Sequence, residues 1–362
     1  MQKANGYSQI ALFSRKTGCR RNRYPSHGGR FGVLRTATPL TGERDGVRGA
    51  TVLPLSTAGT DMSRRTVSHE SGAIYEFTPD LDAVAEIEAG ESVTVETRDS
   101  LDGAVQSDED VIGTIPEEVN AATGPIAVAG ATPGDALRVE IEAIRVAEEA
   151  GRVITIDGFG LLDGKPGIEA PRTRMTPVDG DTIEFDGVEV PIEPVIGTIG
   201  VAPRADSYTT LVPHDHGGNL DTTDMTAGNV AYFPVFQEGA MLAMGDCKAA
   251  MADGEMCGTG SEIATEIDVT VDVIDDPAVD LERPMVETPD AWKTIASAET
   301  MEEACELANR DAIELLAAEH DFDTTEAYMF SSLVGGLEIS QVVDPLVTVR
   351  NAVPKEYLSD PF

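Results

Sequence analysis

The chain has 362 residues, 41% of them apolar, and 64 Asp and Glu against 26 Lys and Arg give it a formal net charge of -38. That apolar fraction and length suit a packed core of one or two domains rather than a disordered chain, and the charge excludes a nucleic-acid partner, whose phosphates would be repelled. No run of about 18 consecutive apolar residues is present to cross a membrane, and four scattered cysteines without a CxxC pair exclude a disulfide framework or zinc ribbon.

Residues 1–61 differ from the rest, carrying ten Lys and Arg against three Asp and Glu. The segment lacks the continuous apolar stretch of a secretory signal, so it is expected to be a disordered or mis-annotated extension, with the natural start at Met62. Setting aside its charge of +7 leaves -45 for residues 62–362, which reads as a halophilic surface of hydrated carboxylates in concentrated salt. The cysteines read as reduced thiols of a cytoplasmic protein.

From residue 72 to about 275 short apolar segments alternate with Gly, Pro and Asp. Val93–Thr97 alternates after Ala89–Gly90, Leu137–Ile141 after Pro133-Gly134-Asp135, and Ile263–Ile274 sets Ile267, Val269, Val271 and Val273 on one face. Each predicts a half-buried strand, and the spacing predicts a mainly β fold, a sandwich or a barrel. Near the C-terminus the pattern turns helical. Thr300 and Glu303 make a capping-box sequence before a helix to about Ala318, and Asp323 with Glu326 repeats it before Ala327–Leu333. Leu337–Asp344 alternates again as a strand.

Residues 211–262 hold the densest polar group. His214, Asp215, His216, Gly217, Gly218, Asn219 and Asp221 crowd one turn, and Gly245-Asp246-Cys247-Lys248 leads to Asp253-Gly254-Glu255. Histidines and carboxylates together can ligate a divalent cation, and glycines let backbone approach a small ligand. A polar surface turn has the same composition. Lys248 stands out because the chain has only six lysines; it is either a salt-bridged lysine or a group holding a substrate oxygen or a carboxylate. Cys247 and Cys257 lie within this region, but without an electropositive site they read as small apolar residues.

Several segments together resemble the acetamidase/formamidase family. They are Gly124–Asp135, Gly158–Leu162, Ile196–Pro203, His216–Asp221, Gly239–Glu255, Glu326–Met329 and Ile339–Asp344, in the family's order over roughly residues 72–358. The resemblance implies a β-sandwich or barrel with a helical C-terminal part, occupying residues 62–362 as one catalytic domain. It implies hydrolysis of formamide, acetamide or another short amide to acid and ammonia, a divalent metal such as zinc, and a homo-oligomer. One departure matters: Lys248 stands where the family continues Gly-Asp-x-His-Ala. An N-terminal family histidine is also missing, since Ala73–Phe77 fills that stretch, and Met251-Ala252 replaces Gln-Gly or Met-Gly.

Amide hydrolysis needs an activated water, positive charge or donors at the developing oxyanion, and an acid for nitrogen. On that basis Glu255 is the expected general base, with Asp246 and Lys248 as its catalytic companions and Lys248 near the oxyanion. Asn219 and the Gly217-Gly218 backbone are expected to bind substrate, and Asp99, His216 and Asp246 to hold the metal. The alternatives are a hydrolase of a larger or cyclic amide on the same fold, and a non-catalytic binding protein for a small ligand.

Overall fold

The computed structural model describes residues 64–362, and the reading of residues 1–61 lies outside the described residues. The largest element is a nine-stranded sheet. In it Glu91–Glu96 pairs with Thr265–Ile274, which pairs with Ala136–Val146, all antiparallel. These strands form as their alternation predicts, because β-branched side chains pack well on a pleated surface and successive residues face opposite ways. Val93, Val95, Ile267, Val269 and Val271 are buried, and Val93 lies opposite Val269. Val273, expected on the same face, is only half-buried. Asp268, expected outside, is buried because Arg64 and Arg145 pair with it at 2.8 and 2.6 Å.

A six-stranded sheet lies against this one. Its order runs Gly217–Asn219, Val195–Gly200, Leu242–Lys248, Ala122–Val128, Ala73–Ile74, and Ala85–Ile87 adds in parallel to Ala122–Val128. Every residue of Val195–Gly200 and Leu242–Lys248 is buried, as befits central strands covered on both faces. Ile126, Ile196, Ile199, Leu242 and Met244 share one core with Leu137, Val139, Ile141 and Val269 of the larger sheet. Two sheets with one core between them make the expected sandwich.

One backbone feature in Leu242–Lys248 decides what the other face carries. Asp246 has φ of 53°, a left-handed conformation that Asp adopts more readily than most residues. It shifts the side-chain alternation by one position. Met244 and Cys247 therefore both enter the sandwich core, while Asp246 and Lys248 meet on the opposite face.

A four-stranded sheet of Ala150–Thr155, Arg172–Asp179, Thr182–Phe185 and Val188–Pro191 and a two-stranded ribbon of Glu76–Phe77 with Tyr208–Thr209 complete the β structure. Helix α1 spans Met301–His320, with the Thr300 side chain accepting from the Glu303 N–H; helix α2 spans Thr324–Val334, with the full Asp323/Glu326 capping box. Helix α2 begins before the expected Ala327 because Asp323 is its N-cap. Ala304 and Ala308 of α1 pack on Ala296, Ala298 and Val349 of the nine-stranded sheet; methyl side chains four residues apart present one flat face of the helix.

The strand expected at Leu337–Asp344 is Gly336–Gln341. It stops there because the Gln341 side-chain oxygen accepts from the N–H groups of Val343 and Asp344, at 2.9 and 3.0 Å. That turn carries Asp344 into the site.

Candidate active site

The site is built around Lys248, a fully buried side chain at the end of the central strand Leu242–Lys248. Its Nζ donates to Asp246 Oδ2 at 2.6 Å, Asp221 Oδ1 at 2.7 Å and the Asp246 carbonyl at 3.1 Å. Glu255 Oε1 and Glu262 Oε2 lie at 3.6 and 3.9 Å. Burial alone would push the ammonium pKa down, but the carboxylates Asp221, Asp246, Glu262 and Glu255 outweigh it and hold the pKa well above the usual lysine value. The carboxylates around Lys248 thus favour its charged form.

Two glycines make room for it. A Cβ on Gly197 would fall on Lys248 Nζ, and one on Gly260 would collide with the Lys248 stem. Without that space the ammonium would not reach both Asp221 and Asp246.

The carboxyl groups around Lys248 outnumber it, with Asp221, Asp246, Glu255, Glu262 and Asp344 all buried. Burial raises the pKa of Asp246, Glu255 and Asp344 well above the ordinary carboxylate range and that of Glu262 above its ordinary value, with Lys248 opposing in each case. Asp221, Asp246 and Glu255 also have positive φ, 41°, 53° and 43°. For Glu255, a residue type that rarely adopts this conformation, the backbone is strained.

A cavity of about 30 Å³ opens onto these groups. Asn120, Asp246, Lys248, Glu255, Glu262 and Asp344 line it with polar groups, and Leu101, Ile115, Val119, Ile156, Phe159 and Leu211 with apolar ones. Arg350, 1% exposed, does not line the cavity but holds the segments around it. It pairs with Asp224 at 2.5 Å and Asp253 at 2.6 Å and donates to the Ile339 carbonyl at 3.1 Å. Those contacts tie together the segments carrying Asp221, Glu255 and Asp344.

The expected residues separate into two groups. Lys248, Asp246 and Glu255 come together as the sequence suggested. Asn219 lines the cavity, but its side chain is committed: Oδ1 accepts from Thr198 at 2.6 Å and Asn120 at 3.1 Å, and Nδ2 donates to Asp344 at 2.9 Å. It orients neighbours rather than offering a free donor pair. Gly217 and Gly218 do not line the cavity. They belong to the edge strand Gly217–Asn219, where a Cβ would strike the Ile199 and Val212 carbonyls respectively, so their smallness serves close backbone packing.

The expected metal ligands do not converge. Asp99 accepts from the N–H groups of Leu101 and Gly103 at 3.1 and 2.8 Å and faces Arg152 at 3.5 Å, so it shapes the turn at the cavity wall. His216 stacks on Tyr208 at a ring distance of 5.1 Å and meets the tilted Phe77 ring at 4.9 Å, beside a separate cavity of about 180 Å³. Its buried ring nitrogens have no partner, and burial, then His214, lowers its pKa to about 3. Asp246 is held by Lys248. Among the described residues no three His, Cys, Asp or Glu side chains are arranged to hold a metal ion. The ammonium fills the centre of the carboxylate cluster, and the residues present do not fit the zinc that the family resemblance implies.

Sequence reasoning missed Asn120, Glu262 and Asp344 as cavity residues. Among so many acids a single Asp or Glu carries little signal, and Asn120 comes from a segment far removed in sequence.

The profile of the Acetamidase/Formamidase family matches residues 60–209 and 204–359. The chain belongs to the acetamidase/formamidase family. Among solved structures it is similar to a predicted acetamidase/formamidase of Thermoanaerobacter tengcongensis, with a TM-score of 0.77 and 37% identity over 81% of this chain and 98% of that one. Among curated relatives it is 25% identical over 274 residues to a formamidase of Methylophilus methylotrophus, covering 60% of this chain and 67% of that protein. It is 27% identical over 261 residues to an acetamidase of Mycolicibacterium smegmatis, covering 54% of this chain and 64% of that protein. The chain thus spans about two thirds of the length of these curated relatives. In this member of the family a buried lysine lies at the centre of the candidate site.

Proposed function

We infer that the protein hydrolyses short primary amides, formamide or acetamide, to the carboxylic acid and ammonia. The observation that carries this is the buried Lys248 ammonium, with the Glu255 carboxyl 3.6 Å away, at a small cavity of a chain in the acetamidase/formamidase family. An amide carbonyl is a weak electrophile, and a fixed cation in a water-poor site stabilises the oxyanion that forms on attack. Lys248 supplies that charge, and Asp221 and Asp246 hold it in place. Glu255 takes the proton from the attacking water. Burial and then Asp221 raise its pKa well above the ordinary carboxylate range, and the ammonium opposes them, favouring the ionised form that a base needs. The apolar side chains that line the cavity receive the short acyl group.

Cationic charge comes from the side chain in this scheme, and no step runs through a metal. A high density of surface acids supports a salt-rich cytoplasm as the working environment. Exposed Tyr328, Met329 and Leu333 on α2, beside Leu337 and Ile339 of the edge strand Gly336–Gln341, support self-association into a homo-oligomer. No helix among the described residues is long and apolar enough to cross a membrane.

The test is ammonia release from formamide and acetamide in molar salt, with and without a chelator, for the natural protein and Glu255→Gln. Release that survives chelation and falls by about 10²-fold or more in the variant is expected. A folded Glu255→Gln protein with full turnover removes Glu255 from the mechanism. No ammonia from either amide at any salt concentration refutes the assigned activity.

A further inference from the structure

The five buried carboxyl groups of the site are not equivalent. Asp246, Asp221, Glu255 and Glu262 lie 2.6, 2.7, 3.6 and 3.9 Å from Lys248 Nζ. Asp344 is the exception. It is 8% exposed and, among the described residues, pairs with no cation. Its Oδ2 accepts from Asn219 Nδ2 at 2.9 Å, while its buried Oδ1 has no partner. It lines the same cavity as Glu255 and Lys248.

A buried carboxylate without a cation is costly, and the usual resolution is to keep the proton. The Asn219 contact fixes where the proton resides: Oδ2 already receives a hydrogen bond, so the O–H belongs on the bare Oδ1. Asn219 is itself held by Thr198 and Asn120, so the orientation of the carboxyl is set by three residues from two strands and a turn. Hydrolysis of an amide needs such a donor, because an unprotonated amide nitrogen is a very poor leaving group.

From this geometry we propose that Asp344 is the general acid of the reaction, delivering its Oδ1 proton to the departing nitrogen while Glu255 acts on the water. The proposal rests on the amidase reading. Glu255 removes one proton from water, the oxygen lone pair forms the new C–O bond, and the carbonyl π pair moves onto oxygen beside Lys248. That pair then returns to re-form C=O as the C–N bond breaks. Nitrogen takes the Asp344 proton, and the products are the carboxylic acid and ammonia. Glu255 is left protonated and Asp344 ionised, and one proton passing from Glu255 to Asp344 through solvent resets the site. Burial supports the assignment by pushing the Asp344 pKa well above the usual range; Asp221 adds to this, Lys248 opposes it and Asp246 adds again.

The experiment compares the natural protein with Asp344→Asn and Asp344→Glu, using acetamide and the similarly small S-methyl thioacetate, which share an acyl group but not a leaving group. Ammonia release by the natural protein comes first, and its absence defeats the amidase reading itself. Given that release, Asp344→Asn is expected to lower kcat for acetamide by about 10²- to 10⁴-fold with KM nearly unchanged. Hydrolysis of the thioester, whose methanethiolate departs without a proton, is expected to fall less than tenfold. Asp344→Glu, which retains a carboxyl, is expected to keep more acetamide activity than Asp344→Asn. Equal losses on both substrates, equal activity of the two variants, or acetamide turnover within tenfold of the natural protein in Asp344→Asn overturns the proposal.

Discussion

Lys248→Met removes the ammonium at the centre of the site while keeping an unbranched side chain of similar length, so the perturbation is mainly one of charge. Four carboxyl groups lose their cation together. Removing one partner of a buried ion pair costs about 3–5 kcal/mol. Unfolding entropy of about 2.1 cal/mol/K per residue, over a folded part of roughly 300 residues, gives about 0.6 kcal/mol/K, so Tm should fall by about 5–8 °C near neutral pH. The loss should depend on pH in one direction. Asp246, Glu255 and Asp344 titrate well above their ordinary values and Glu262 above its own. The folded state therefore holds protons that the unfolded chain releases above about pH 4. Stability from this source is present below the unfolded pKa and falls as pH rises through the raised folded values. Without the ammonium those values rise further and the fall steepens, so the two proteins should differ little in acid and diverge toward neutrality. Thermal unfolding of both in molar salt from pH 4 to 8 checks this. A Tm difference below about 2 °C at neutral pH, or one that does not change with pH, would refute the account.

Gly197→Ala should displace the Lys248 ammonium and lower ammonia release by about 10²-fold or more, the expected cost of a misplaced catalytic group; normal turnover would show that the ammonium does not need its present position. Cys247 lies in the sandwich core with its thiol pushed up to about 12 by burial, so Cys247→Ala should leave turnover within a few-fold of normal, and loss of activity in a folded variant would revive it as a nucleophile. Dialysis from molar salt to about 0.1 M lengthens the screening distance from about 3 to about 10 Å. A surface this acidic should then lose its fold or activity, as followed by circular dichroism, and full stability in dilute buffer would contradict the halophilic reading.

Much of the architecture was legible because its signals are local. Alternation in Val93–Thr97 and Ile263–Ile274 reflects the period of a strand, and Thr300 and Asp323 cap helices through their own nearby backbone. Lys248 was legible through its scarcity, and Glu255 through its place in an ordered family motif. These elements and the segment that bears the site follow from short-range chemistry along the chain. What each polar residue does there depends on which distant segments pack around it. Asp246 and Lys248 share a face because a single left-handed residue shifts the strand's parity, and no composition signals that. His216, Gly217 and Gly218 sit in the motif yet support packing around it. Asp344 joins the site through a turn fixed by Gln341 and through Asn219, 125 positions away in sequence. In a chain with 64 acidic residues, a carboxyl gains its chemical identity from the cation it meets or fails to meet, and that pairing exists only once distant segments are packed together.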